Sequence, residues 1–285
     1  MCTWPDRLRG RPLSAAAAAL ATSVIACGAG ANPSAPAGGG PFFTSGDVRL
    51  AYALDLPPGR GPFPAVVAGH GSGRITRQQM EWLAGRWTAM GFAVLRFDKR
   101  GVGESTGTYV NVGTQGSPTV FPQLAADIAA GVRFLRERPE IDRRRVGLVG
   151  NSQAGWILPH AARDLGDVAF MVLLAGPVCT VEEEMQYSQL AEGTDRLLDE
   201  VYRLLPPPSG PQGYDPIPAL RAIETPALWL LGEDDRSIPV RTTVANLKGL
   251  AAAGKPFEWR VYPGLGHSLG PAIWGDIGQW VQRFR

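Results

Sequence analysis

Short, almost wholly apolar runs recur along this chain, and each leads into a polar or helix-patterned stretch. They occupy residues 65–69, 92–97, 145–150, 169–174, 227–231 and 257–262. Runs this short and this apolar suit strands buried on both faces, as in a parallel sheet covered by helices. Helical periodicity is clearest where Leu124, Ile128, Val132 and Leu135 form one stripe, with Asp127, Arg133, Arg136 and Glu137 off it. The alternation predicts an α/β domain over residues 42–285, with a mostly parallel central sheet and helices on both faces. Residues 47–54 alternate polar with apolar and read as a half-exposed antiparallel strand. Residues 180–214 break the rhythm, opening on Glu182-Glu183-Glu184-Met185 and passing through Pro206-Pro207-Pro208, and are expected to form a small cap insertion over the sheet edge.

The first residues have a different character. Arg7, Arg9 and Arg11 precede an apolar run from residue 13 to 26. That run is shorter than the roughly 20 residues a bilayer span needs, but suits the apolar region of a signal peptide. It ends Val24-Ile25-Ala26-Cys27, which resembles the lipobox of bacterial lipoproteins. The expectation is a lipoprotein-type signal over residues 1–26, lipid attachment at Cys27, and a flexible tether over residues 27–41 rich in Ala, Gly and Pro. The protein would then be exported and held to a membrane at the cell envelope; a plain signal peptide, leaving the protein periplasmic or secreted, is the alternative. Cys179 is left without a partner and reads as a small buried hydrophobe, so no disulfide framework follows.

A formal net charge of +2, with no basic stripe interleaved with aromatics, gives no sign of nucleic-acid binding. No Cys/His cluster has the spacing of a metal site, and no organic cofactor is implied. Gly101-Val102-Gly103 has the wrong spacing for a dinucleotide site.

Chemistry concentrates at Gly150-Asn151-Ser152-Gln153-Ala154-Gly155, between an apolar run and a helical stretch. Small residues two before and two after a serine allow a tight strand-to-helix turn that lifts the hydroxyl above the sheet. The helix start behind it favours developing negative charge. Downstream, Gly232-Glu233-Asp234-Asp235 follows one apolar run, and Gly264-Leu265-Gly266-His267 follows the last. Serine, carboxylates and histidine therefore all fall at carboxyl ends of strands, on one rim of a parallel sheet. Upstream, Gly69-His70-Gly71-Ser72-Gly73 is a glycine-rich loop whose N–H groups suit an oxyanion. The oxyanion hole is assigned to the N–H groups of Gln153 and Ser72.

With the elbow, three further segments resemble the EstD-like branch of bacterial α/β-hydrolases: His70-Gly71-Ser72-Gly73, the stretch from Phe97-Asp98-Lys99-Arg100 to Ser105, and Val172-Leu173-Leu174-Ala175-Gly176-Pro177. The resemblance runs from about residue 65 to the C-terminus. It implies an α/β-hydrolase fold and esterase activity on a small-molecule acyl ester, with Ser152 as nucleophile, His267 as base and Asp235 as acid. Asp234 is the fallback acid. Asn151 stands where that branch usually carries histidine, which bears on substrate preference. Peptidase or amidase chemistry on the same fold, and a non-catalytic binding lipoprotein, are the alternatives.

The remaining singled-out residues receive structural readings. His70 is expected to position backbone and His160 to pack or bond locally. Asp98 and Arg100 read as a turn held by mutual or backbone bonds. Trp82, Trp156 and Trp274 read as core or helix-packing residues, with Trp156 close enough to the elbow to line an acyl pocket.

Overall fold

The computed structural model describes residues 40–285. The signal segment, Cys27 and nearly all of the expected tether lie outside the described residues.

The sheet has eight strands, in the order β1-β2-β4-β3-β5-β6-β7-β8: β1 Phe42–Ser45, β2 Val48–Asp55, β3 Phe63–Gly69, β4 Ala93–Phe97, β5 Ile141–Asn151, β6 Met171–Leu174, β7 Ala227–Gly232 and β8 Phe257–Tyr262. β2 pairs antiparallel with β1 and with β4, and every pair from β4 through β3 to β8 is parallel. This is the mostly parallel sheet that the apolar runs predict. β1 escapes a pattern reading because it has only four residues and earns its place by pairing with β2 through a turn at Gly46.

Strand side chains alternate between two cores. Val67 of β3 and Leu95 of β4 face one, where Leu124, Ile128 and Val132 of α2 (Ser117–Arg136) pack with Leu158 of α3 (Ala154–Leu165). Val66 and Val94 face the other, against Leu83 and Trp87 of α1 (Glu81–Ala89) and Ile277 of the helix Ile273–Val281. Period-two alternation lets each central strand serve both layers. Trp87 is fully buried, edge-on to Phe92 and stacked on Phe170.

Two charged positions have partners that the sequence pattern does not show. Asp127, placed off the apolar stripe of α2, is 1% exposed and accepts a two-pronged bond from Arg100 at 2.6 and 2.8 Å. Of the mutual or backbone bonds expected for Asp98 and Arg100, the backbone ones are present and the mutual one is not: the Asp98 carboxylate takes the N–H groups of Arg77 and Glu104 with the Arg77 guanidinium, and Arg100 pairs with Asp127. A polarity pattern assigns a face to a charge; it cannot see a partner 27 positions away that neutralises it.

Between β6 and β7 lie three helices, Val181–Ala191, Leu198–Leu204 and Ile217–Ala222. The first begins in a reciprocal cap: the Thr180 hydroxyl accepts from the Glu183 N–H at 3.2 Å, and the Glu183 carboxylate accepts from the Thr180 N–H at 2.8 Å. The acidic run Glu182-Glu183-Glu184 occupies its first turn, where the helix dipole favours negative charge. Tyr187, Ala191 and Val201 join it to the second helix in a small core of their own. The Tyr187 hydroxyl donates to the Asp235 carbonyl at 2.7 Å, and Arg236 donates to carbonyls of Ala191, Thr194 and Arg196, so this insertion is tied to the loop after β7.

Candidate active site

Ser152 follows the last residue of β5 and has a φ of 51°, in the left-handed region that non-glycine residues avoid. Two short hydrogen bonds and the immediate start of α3 impose this. Its N–H donates to the Leu174 carbonyl at 2.9 Å, its own carbonyl accepts from the Gly155 N–H at 2.8 Å, and α3 departs at once. The turn closes only because its neighbours are small. A Cβ on Gly150 would lie 2.5 Å from the Ala154 methyl, and one on Gly155 would lie 2.6 Å from Pro177. The Ala154 methyl therefore fits because Gly150 across the turn leaves room for it.

Asp235 is fully buried. One carboxylate oxygen accepts the N–H groups of Ser237 and Ile238 at 2.8 and 2.9 Å, and the other lies 2.8 Å from His267 Nδ1. Asp234 is exposed and points its backbone N–H at the Leu265 carbonyl, so the carboxylate brought to His267 is that of Asp235. Gly232 permits this meeting, because any Cβ there would strike the backbone carbonyls of Leu265 and Gly266.

Burial pulls the His267 imidazolium down, but the hydrogen bond and charge of Asp235, with Glu192 and Glu184 beyond, outweigh it and leave the pKa above 6.5. Burial, and then Glu192, push the Glu184 carboxyl up to about 7. Ser152, His267, Asn151 and Ser72 line one cleft of about 290 Å³. Nucleophile and base share this cleft without a hydrogen bond between them, and such bonds often tighten only when substrate binds. The N–H groups of Gln153 and Ser72 donate no hydrogen bond among the described residues.

A second cavity of about 430 Å³ adjoins the first, sharing Trp82, Asn151 and His267 and adding Leu269, Ile273 and Trp274. Trp82 is thus not a core residue: it is 53% exposed, edge-on to Trp274 at 6.2 Å. The pattern reading misses this because an indole on an amphipathic helix looks alike whether it faces the core or a cleft. Trp156 is buried, stacked on Phe121, and donates to the Cys179 carbonyl at 2.7 Å. His70 bonds the Phe97 carbonyl at 2.6 Å, and burial, aided by Lys99, drives its pKa down to about 3, so it stays neutral. His160 bonds Tyr214 and Arg163. Cys179 is buried, its thiol pKa pushed up by burial. No cluster of His, Cys, Asp or Glu suited to a metal ion occurs among the described residues.

A serine on a strained strand-to-helix turn, with a histidine–aspartate pair on the same rim of a mostly parallel sheet, defines an α/β-hydrolase. More particularly, residues 76–274 match the prolyl oligopeptidase family, and the chain belongs to that family. It is 26% identical over 231 residues to esterase EstD of Thermotoga maritima, covering 71% of this chain and 54% of that protein. It is 25% identical over 230 residues to the acylamino-acid-releasing enzyme of Rattus norvegicus, covering 75% of this chain but 30% of that one. Acyl-coenzyme A thioesterase 3 of Mus musculus is 26% identical over 268 residues, with 80% and 56% covered. The chain thus spans between about a third and just over half the length of these curated relatives. Among solved structures, the Pyrococcus furiosus esterase Pf2001 superposes with a TM-score of 0.64 at 19% identity, covering 85% of this chain and 90% of that one.

Proposed function

We propose that this protein hydrolyses carboxylic esters through an acyl-enzyme intermediate. The observation that carries the reading is Ser152, held at a φ of 51° in the cleft it shares with His267, whose Nδ1 is bonded to buried Asp235. A serine hydroxyl needs a base to take its proton as it attacks. With Nδ1–H engaged by Asp235, His267 presents Nε2 as that base. The serine oxygen bonds to the ester carbon, its proton passes to Nε2, and the negative charge falls on the former carbonyl oxygen. The N–H groups of Gln153 and Ser72 receive that charge. Collapse breaks the C–O bond to the alcohol, which takes the proton from His267. Water then repeats the sequence and releases the acid.

His267 hands its proton to the leaving group, so the cavity that touches His267 and extends past Trp82 and Trp274 is the leaving-group side. Its aromatic wall favours an aryl alcohol. Trp82→Ala is expected to lower kcat/KM for benzyl acetate by about tenfold, the worth of one good aromatic contact, while ethyl acetate changes less than about twofold. Equal losses on both esters would remove the aryl assignment.

Ester hydrolysis itself is tested with p-nitrophenyl esters from acetate to laurate. Amide cleavage is the second reading, favoured by the prolyl oligopeptidase match over residues 76–274 and the likeness to an acylamino-acid-releasing enzyme. An N-acyl-aminoacyl p-nitroanilide cleaved faster than every ester would put it first.

We also propose that the chain is exported and anchored through a lipid on Cys27, a reading supported by the Val24-Ile25-Ala26-Cys27 sequence after an arginine-flanked apolar run. Cys27→Ser is expected to move the protein from the membrane to the soluble fraction and to change the mass of its mature N-terminus. Unchanged partitioning leaves simple secretion.

A further inference from the structure

Lys99, two residues past the end of β4, is 4% exposed, and ester hydrolysis as derived for Ser152 and His267 does not use it. Its ammonium donates to the Gly71 carbonyl at 2.9 Å, to the Gln153 side-chain carbonyl at 2.7 Å and, longer, to the Gly73 carbonyl at 3.4 Å. All three acceptors are neutral oxygens. Burial lowers its pKa to about 8, which leaves it charged at neutral pH. Burying an ammonium without a carboxylate partner is costly, so its surroundings gain from negative charge placed nearby.

The partners are specific. Gly71 and Ser72 share a trans peptide, because the cis bond among the described residues is Gly61–Pro62. The carbonyl and N–H of a trans peptide point in opposite directions. Holding the Gly71 carbonyl from one side therefore turns the Ser72 N–H away from Lys99, and Ser72 lines the cleft with Ser152. Gln153, held by its side chain, carries the other unengaged N–H at the head of α3.

We propose that Lys99 is the positioning residue of the oxyanion hole: one ammonium fixes both donor-bearing segments, the loop at Gly71–Ser72 and Gln153 of the elbow, and adds positive charge behind them. This rests on the ester-hydrolase reading of Ser152. A hydrogen bond to an ammonium polarises the Gly71–Ser72 peptide and makes its N–H a stronger donor. The effect is largest when the oxygen is fully charged, so it belongs to the transition state rather than to bound substrate.

The test compares kcat, KM and the affinity of an aryl trifluoromethyl ketone, which forms a tetrahedral oxyanion adduct with a serine, in the full chain and its variants. Lys99→Met is expected to lower kcat by about 10²-fold, the scale of losing an oxyanion-hole donor, with KM within about threefold. Ketone affinity should fall in proportion to kcat. Lys99→Arg, which keeps charge and donors, should recover at least about tenfold of the loss. If Lys99→Met does not fold by circular dichroism, Lys99→Gln, uncharged and one bond too short to hold both segments, carries the same expectation. Wild-type kcat in either folded neutral variant, a loss confined to KM, or unchanged ketone affinity beside a lowered kcat overturns the proposal. Wild-type protein that neither hydrolyses an ester nor binds the ketone instead removes the hydrolase reading on which it rests.

Discussion

Ser152→Ala is expected to lower ester hydrolysis by about 10⁴- to 10⁶-fold, the range measured when the nucleophile of such a unit is removed. Labelling by a fluorophosphonate should vanish with it. The fold has no reason to fail, since the contacts that set the elbow are the backbone bonds from the Ser152 N–H to the Leu174 carbonyl and from the Gly155 N–H to the Ser152 carbonyl, with the packing of Ala154. Ser152→Gly sharpens the expectation. At a φ of 51° a side chain costs about 1–3 kcal/mol that glycine does not pay. The glycine variant should therefore be as inactive as the alanine variant, yet melt at a higher temperature than the wild type. Activity retained in either variant assigns the chemistry to another group; a lower melting temperature for Ser152→Gly says the elbow is not strained.

Asp235→Asn is expected to cost about 10⁴-fold in kcat, through the tautomer of His267 rather than through packing. The oxygen that accepts from Ser237 and Ile238 survives in asparagine, so the local backbone stays pinned. The group facing His267 Nδ1 becomes an amide donor. The imidazole must then carry its proton on Nε2, where it cannot take one from Ser152. The pH profile gives a second reading of the same change. His267 acts as base only when neutral, and its pKa is raised above 6.5 chiefly by Asp235 against the pull of burial. The acidic limb of the wild-type rate should therefore lie above pH 6.5, and it should move to lower pH in Asp235→Asn. The ion pair also feeds stability in that direction: a raised histidine pKa contributes below the unfolded value near 6.5 and is lost as pH rises through the folded one. Asp234→Asn, on an exposed side chain, should alter kcat less than about twofold. A profile and rate that follow Asp234 instead would reverse the assignment.

How far the site could be read without coordinates depends on the range of the interactions that build it. Ser152, His267 and the carboxylate pair are marked by local chemistry: small residues around a serine, and apolar runs that place each candidate at a strand end. The choice between Asp235 and Asp234 is not local, because neighbouring residues on one turn point in different directions. Only the approach of the loop after β8, admitted by Gly232, selects one of them.

The same division holds across the molecule. The chain alone determined the α/β alternation, the strands from β3 to β8 and the strained elbow, because period, run length and residue size act over a few neighbours. Tertiary structure decided that Asp127 is buried against Arg100, that Trp82 walls a cleft, that Tyr187 reaches the loop of Asp235, and that Lys99 spans two loops. Each of these joins residues from different elements. A polar or aromatic side chain takes its meaning from the partner that folding brings to it, and no window along the chain contains that partner.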